Sequence, residues 1–271
     1  MKRTFPLIAV LVLAVVWLLG GCGDRQDPGS WLERCGQAAG DYAQGSGYLH
    51  FTQESEYHMQ TAQGEFSQQL RVEGDIIFTD RETYEYSEVL SSSLQPDQPQ
   101  ENAFSYLTLD AGKTAYVAGE RLSAELGVIG WVHYTPQSDQ NRYFSYPELI
   151  EGITSVGGEQ EWVGFEDLGG ERCAHLRYNV SGQELMELRL QQDPTFAEQF
   201  QGLDMGEIVG ELVVELWVGE ADDLPRRVVM DQDVTLEDGT HNTTRLVFEF
   251  SGYGMETPLL IEAPAFANEA V

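Results

Sequence analysis

Basic residues are scarce in this chain. Its 271 residues include 15 Lys and Arg against 45 Asp and Glu, which gives a formal net charge of −30 at pH 7. Proteins that bind nucleic acid place clustered Lys and Arg against phosphate groups, so this composition argues against a nucleic-acid partner. It also argues against a protein that lies flat on an anionic leaflet, because such surfaces attract basic segments.

Motifs for catalysis and for metal binding are also lacking. The chain has no G-x-S-x-G, no phosphate-binding loop, no G-x-G-x-x-G and no D-x-D-x-D-G calcium loop. It has five His and no H-x-x-x-H pair. His50 and His58 share a strand face, but they are too far apart to share one metal ion at about 3.3 Å per residue. We therefore predict a protein that is not an enzyme and holds no metal or cofactor.

Only one long hydrophobic run is present, and it lies at the start of the chain. Every residue from Leu7 to Leu19 is apolar, and Lys2 and Arg3 precede the run. A spanning helix needs about 20 apolar residues, so this shorter run is more typical of a secretion signal. The run ends in Leu19-Gly20-Gly21-Cys22, which resembles the bacterial lipobox.

These features predict how the chain is divided and where it is located. We expect a lipoprotein signal peptide over residues 1–21, lipid attachment to Cys22, a tether over 22–29 and a single domain over 30–271. The mature protein would then be extracytoplasmic and held by lipid on the outer face of the cell membrane.

Lipidation of Cys22 leaves two cysteines, Cys35 and Cys173. Two thiols in an oxidising compartment often pair, and a disulfide here would close a long loop worth ~5 kcal/mol in the chain-entropy model. The alternative is two separate buried thiols. No C-x-x-C is present, which argues against redox catalysis.

The spacing of apolar residues changes from helical to alternating after the tether. Ser30 as N-cap and Glu33 three residues later predict a helix that starts at Trp31 and ends before Gly45. Alternation of apolar and polar residues then predicts long antiparallel strands with one buried face. Further helices are predicted over 146–155 and 183–201. The fold class is therefore α+β and mainly β, with a strongly curved sheet and few helices.

A strongly curved sheet has a hollow inner side, and the helices can occupy that hollow in two ways. They can fill it as core, or they can roof it and leave a cavity for an acyl chain. The composition does not separate these two interpretations.

The C-terminal strands carry a family resemblance. A strand that ends in Trp turns through Leu-Pro into the next strand, and the closing strand runs into an Ala-Pro tail. The stretches concerned are Leu216-Trp217-Val218-Gly219, Asp223-Leu224-Pro225-Arg226-Arg227, Phe248-Glu249-Phe250-Ser251-Gly252-Tyr253-Gly254 and Ile261-Glu262-Ala263-Pro264. They resemble the end of the LppX/LprG-like and LolA-like bacterial lipoproteins. That resemblance implies an incomplete antiparallel β-barrel wrapped round helices, a hydrophobic cavity for lipid acyl chains, and carriage without catalysis.

We therefore expect a monomeric lipoprotein that binds or carries lipid acyl chains. The alternative hypothesis is an envelope sensor or regulator that uses the same fold to bind a protein partner. Alternation along the strands gives one candidate cavity lining, on the face that we expect to be concave: Val72, Ile76, Phe78, Leu212, Val214, Leu216, Val228, Met230, Leu246 and Phe248.

Overall fold

Twelve strands and two helices make up the described part of the chain. The computed structural model describes residues 27–45, 47–78, 81–92, 99–110, 113–120, 124, 127, 129–135, 146–155, 158–182, 209–236, 238–255 and 262–269. The helices are α1, Pro28–Gln44, and α2, Tyr146–Ser155. The strands are β1 Tyr48–Thr61, β2 Gly64–Ile77, β3 Arg81–Ser92, β4 Gln100–Leu109, β5 Thr114–Gly119, β6 Trp131–Tyr134, β7 Glu159–Leu168, β8 Glu171–Ser181, β9 Val209–Gly219, β10 Pro225–Thr235, β11 His241–Ser251 and β12 Ala267–Glu269.

All twelve strands form one sheet in the order β12-β6-β5-β4-β3-β2-β1-β11-β10-β9-β8-β7. Neighbouring strands are antiparallel except β12 and β6, which are parallel. Two meanders, β1–β6 and β7–β11, are joined where β1 pairs with β11 along its length. The sheet is curved but does not close, because β7 and β12 remain as its two edges. The predicted fold class, an incomplete antiparallel β-barrel around a few helices, is confirmed.

Helix α1 begins earlier than its sequence pattern predicts. Asp27 is the N-cap, its side chain accepts a hydrogen bond from the backbone N–H of Ser30 at 3.2 Å, and Pro28 occupies the first turn. Proline is favoured there because its missing N–H has no partner in a first turn. The predicted capping box at Ser30 is therefore wrong by one turn. The predicted end is correct, since Gly45 is the C-cap.

The long antiparallel strands predicted from the alternation are present. Strands β7 and β8 form a hairpin whose turn residues Gly169 and Gly170 have φ of 63° and 91°, which favour glycine. Strand β12 was not predicted, because three residues are too few to show alternation. The predicted helix over 183–201 lies outside the described residues. Neither described helix is long and apolar enough to cross a membrane.

Candidate functional site

The inner face of the sheet carries the main hydrophobic cluster. Helices α1 and α2 pack against each other and cover part of this face, and α1 also contacts β7. From α1 the buried side chains are Trp31, Leu32, Cys35 and Ala39, whose spacing places them on one side of the helix. From α2 they are Tyr146, Ile150 and Ile153. They share one cluster with the inward side chains of the strands.

All ten predicted lining residues belong to this inner face. Eight are buried in the cluster: Val72, Ile76, Phe78, Leu212, Val214, Leu216, Val228 and Phe248. Met230 and Leu246 are partly buried and pack against it. Strand alternation thus selects one common face across β2, β9, β10 and β11. The structure brings these residues together, and their role as a ligand lining stays a prediction.

Cross-strand register orders the inner face into parallel rows. One row runs through Leu176, Leu216, Val228, Phe248, Gln53, Val72, Tyr86 and Phe104. The next runs through Tyr178, Val214, Met230, Leu246, Ser55, Leu70 and Glu88. The third runs through Val180, Leu212, Gln232, Thr244, Tyr57, Gln68 and Leu90. On β2, β10 and β11 the face therefore changes from apolar to polar over three rows.

The helix-covered part of this face is filled by side chains. Leu216, Val228 and Val72 are 0% exposed. The Tyr253 hydroxyl donates its one hydrogen to the carbonyl oxygen of Pro225 at 2.9 Å, so it accepts from the Tyr146 hydroxyl of α2 at 3.0 Å. These contacts hold α2 over the end of β11. In this region the helices act as core, which is the first of the two interpretations of the hollow.

Beyond the helices an apolar strip remains partly exposed. We call it the open strip, and it consists of Leu70, Tyr86, Phe104, Met230 and Leu246. All five side chains pack against the core cluster yet keep some exposure. The rings of Tyr86 and Phe104 stack with centroids 4.3 Å apart. Sequence reasoning missed Leu70, Tyr86 and Phe104 as candidates, although each alternates correctly, because only the register shows that they share the inner face with Met230 and Leu246.

The outer face of the sheet is mainly polar and charged. A shallow cavity of about 470 Å³ on this side is lined by residues that include Glu56, Asp231, Asp233 and Arg245. Arg245 Nη1 lies 2.6 Å from Asp231 Oδ2. A second cavity of about 650 Å³ lies beside the β7–β8 turn, and Arg226 is among its lining residues. Such linings do not suit an acyl chain, because ion-paired side chains would have to lose their water to an apolar ligand.

A small cluster interrupts the polar outer face at β7, β8 and β9. The rings of His175 and Trp217 stack with centroids 4.1 Å apart. Glu166 joins them, since Trp217 Nε1 donates to its Oε2 at 2.9 Å and His175 Nδ1 lies 2.9 Å from its Oε1. The hydrogen bonds from Trp217 and His175 hold the pKa of the Glu166 carboxyl below its usual range. This cluster ties edge strand β7 to the rest of the sheet.

The two described cysteines are free thiols and do not form the candidate disulfide. Cys35 lies in the inner cluster, whereas Cys173 lies in the outer cluster with Trp217 and Val229. Both are 0% exposed. Burial, followed by the nearby carboxylates of Asp223 and Asp222, raises the pKa of the Cys35 thiol. The candidate pairing is corrected in favour of two separate buried thiols, because the two side chains lie in different clusters.

The described ranges contain no group of three or more His, Cys, Asp and Glu that could hold a metal ion. Cys22, the predicted site of lipid attachment, lies outside the described residues.

Three solved structures show how the fold compares with known proteins. LprF from Mycobacterium bovis is 13% identical, with a TM-score of 0.47 over 89% of this chain and 99% of that one. The lipoprotein LppX of Mycobacterium tuberculosis is 10% identical, with a TM-score of 0.39 over 86% of this chain and 98% of that one. A domain described as an outer membrane lipoprotein-sorting protein, from Vibrio parahaemolyticus, is 14% identical, with a TM-score of 0.23 over 84% and 95%.

LppX, which the C-terminal motifs resemble, is thus among the structures found. Protein-family profiles and curated protein sequences give no match to the chain.

Proposed function

We propose that this chain is an extracytoplasmic lipoprotein that binds acyl chains of lipid on the inner face of its sheet and catalyses no reaction. The open strip carries this proposal. It is an apolar strip on the concave face of the sheet, interrupted by Ser55 of β1, that the described helices leave partly exposed. Apolar surface gains about 25 cal/mol for each Å² removed from water, so an acyl chain laid along the strip is stabilised without any specific polar contact.

The rows of the inner face suit an amphipathic ligand. Met230 and Leu246 of the open strip form one cross-strand pair of β10 and β11. The next inward-facing pair is Gln232 and Thr244 of the third row. Gln68 occupies the same row on β2, two residues from Leu70 of the open strip. We infer that the acyl chain lies towards the core and that amide and hydroxyl groups face the polar part of the ligand.

The lipid ligand is tested on protein purified without detergent. Native mass spectrometry should show a lipid adduct, and added oleate should raise the melting temperature. Leu246→Gln should weaken binding of a fluorescent fatty acid by about tenfold, because it places an amide in the apolar strip. Val213→Gln is the matched control, since Val213 is a partly exposed apolar residue on the outer face of β9. Absence of both an adduct and thermal protection would contradict the proposal.

The anchor is tested separately. We propose that residues 1–21 are removed and that Cys22 carries the lipid that holds the chain at the outer face of the cell membrane. Radioactive palmitate should label the wild-type protein in cells, and Cys22→Ala should abolish the label. Equal labelling of both proteins would disprove lipidation at Cys22.

The filled part of the hollow favours a second candidate function. Because Leu216 and Val72 are fully buried in one cluster with side chains of α1 and α2, we infer as an alternative an envelope sensor or regulator that binds a protein partner. Pull-down from crosslinked membranes distinguishes the two functions. A specific protein partner recovered equally with wild type and Leu246→Gln would support the regulator.

A further inference from the structure

The opening of the curved sheet is bordered by exposed apolar side chains. Strand β7 forms one edge of the sheet, and β12, paired with β6, forms the other. Val163 on β7 is 45% exposed, Ile129 just before β6 is 95% exposed, and Phe266 just before β12 is 91% exposed. We call these three the rim residues. They are half of the six large hydrophobic side chains found exposed among the described residues.

The fold holds the rim residues in defined positions. Strands β12 and β6 pair in register, with Ala267 opposite Trp131. The side chain of Asn268 donates to the carbonyl oxygen of Ile129 at 3.1 Å and to that of Trp131 at 3.3 Å. Phe266 directly precedes the paired residue Ala267, and the carbonyl group of Ile129 is held by Asn268, so both rim residues adjoin ordered backbone. On the other edge, Val163 lies at a register shift between β7 and β8, and such bulges re-aim side chains at sheet edges.

The predicted anchor reaches the molecule at the same opening. Helix α1 begins beside β7, where the rings of Trp31 and Trp162 stack with centroids 6.0 Å apart. Gly29 also lies close to β7, since a Cβ built on it would be 3.5 Å from Oε1 of Gln160. Five residues separate Cys22 from Pro28, so the anchor lies at most about 20 Å from the start of α1. A lipid on Cys22 therefore brings β7 and the opening next to the bilayer.

We propose that the chain docks on the bilayer through the rim of its opening, with Ile129, Phe266 and Val163 in the interfacial region of the lipid. This rests on the lipid anchor of the proposed function. Large apolar side chains at the headgroup boundary gain free energy by leaving water. The open sheet then faces the lipid from which a ligand would be taken.

The charge of β7 determines which lipid surface suits this docking. Glu159, Glu161, Glu166 and Asp167 lie on this edge strand and would be repelled by anionic headgroups. Docking should therefore be deeper on neutral phosphatidylcholine than on vesicles that contain phosphatidylglycerol. Because exposed charges are screened over about 10 Å at 0.1 M salt, added salt should reduce that difference.

The test measures the depth of each rim residue in the lipidated full chain on phosphatidylcholine vesicles. Single variants Ile129→Cys, Phe266→Cys and Val163→Cys carry an environment-sensitive dye. Val89→Cys and Val209→Cys are the matched controls, because both are exposed apolar residues away from the opening. The native thiols do not compete for the dye, since both are fully buried.

Rim labels should be quenched by lipids with brominated acyl chains, and their quenching by aqueous iodide should fall about threefold relative to the controls. Equal iodide quenching at rim and control positions in bound protein would overturn the proposal. In a second arm the mature chain carries a hexahistidine tag in place of Cys22 and binds nickel-chelating lipid. This arm gives the same depth measurement if Cys22 is not lipidated, so failure of the anchor and failure of the docking are distinguished. Lipid adducts in native mass spectra report ligand binding independently of both.

Discussion

Two adjacent valines of β9 provide a direct test of which face of the sheet is the core. Val214 points into the inner cluster and is 1% exposed, whereas Val213 lies on the outer face and is partly exposed. Val214→Ala removes the equivalent of two buried methylene groups at about 0.8 kcal/mol each, and the cavity left behind adds to this loss. We expect a cost of about 2–3 kcal/mol. For a domain of this size that lowers the melting temperature by roughly 5–10 °C.

Val213→Ala is the control because it makes the same substitution in the same strand. Both variants lose the same preference of valine for β structure. A substitution at a surface position usually changes the free energy of unfolding by no more than about 0.5 kcal/mol. Urea unfolding followed by tryptophan fluorescence gives both free energies of unfolding. Equal losses for the two variants, or a larger loss for Val213→Ala, would refute the assignment of the inner face.

Three further outcomes are expected. The pKa of Glu166 is depressed in the folded state, so its carboxylate stabilises the fold above the unfolded pKa, and this contribution is lost as the pH falls through the folded pKa. The difference in unfolding free energy between wild type and Glu166→Gln should therefore shrink as the pH drops from neutral to below about 4.3. A difference that stays constant with pH would contradict this. Thiol reagents should leave Cys35 and Cys173 unmodified in the native protein and modify both in denaturant without a reductant, whereas a disulfide would leave them unmodified until reduced. Gly252→Ala should lower the free energy of unfolding in urea by at least about 1 kcal/mol, because Gly252 has φ of 80° and a Cβ there would lie 2.6 Å from the Tyr48 ring. An unchanged midpoint of the urea transition would show that the turn can relax.

Strand alternation was a reliable guide to faces because side chains in a strand alternate strictly between the two sides of a sheet. For that reason all ten lining candidates, from Val72 to Phe248, lie on one face. The same pattern gave no information about distance across the sheet. It could not show that Tyr86 and Phe104 share an inner face with Leu246, since that depends on the pairing of β1 with β11, whose residues are far apart in sequence.

The amino-acid sequence by itself determined the fold class, the common face of the long strands, the end of α1 at Gly45 and the acidic character of the surface. These depend on local periodicity, turn residues and composition. Only the tertiary structure decided which part of the inner face is covered by α1 and α2 and which stays open. It also placed Cys35 and Cys173 in different clusters, and by pairing β6 with β12 it joined the segments that carry Ile129 and Phe266. These outcomes follow from strand register and helix packing, which join residues that no local pattern connects.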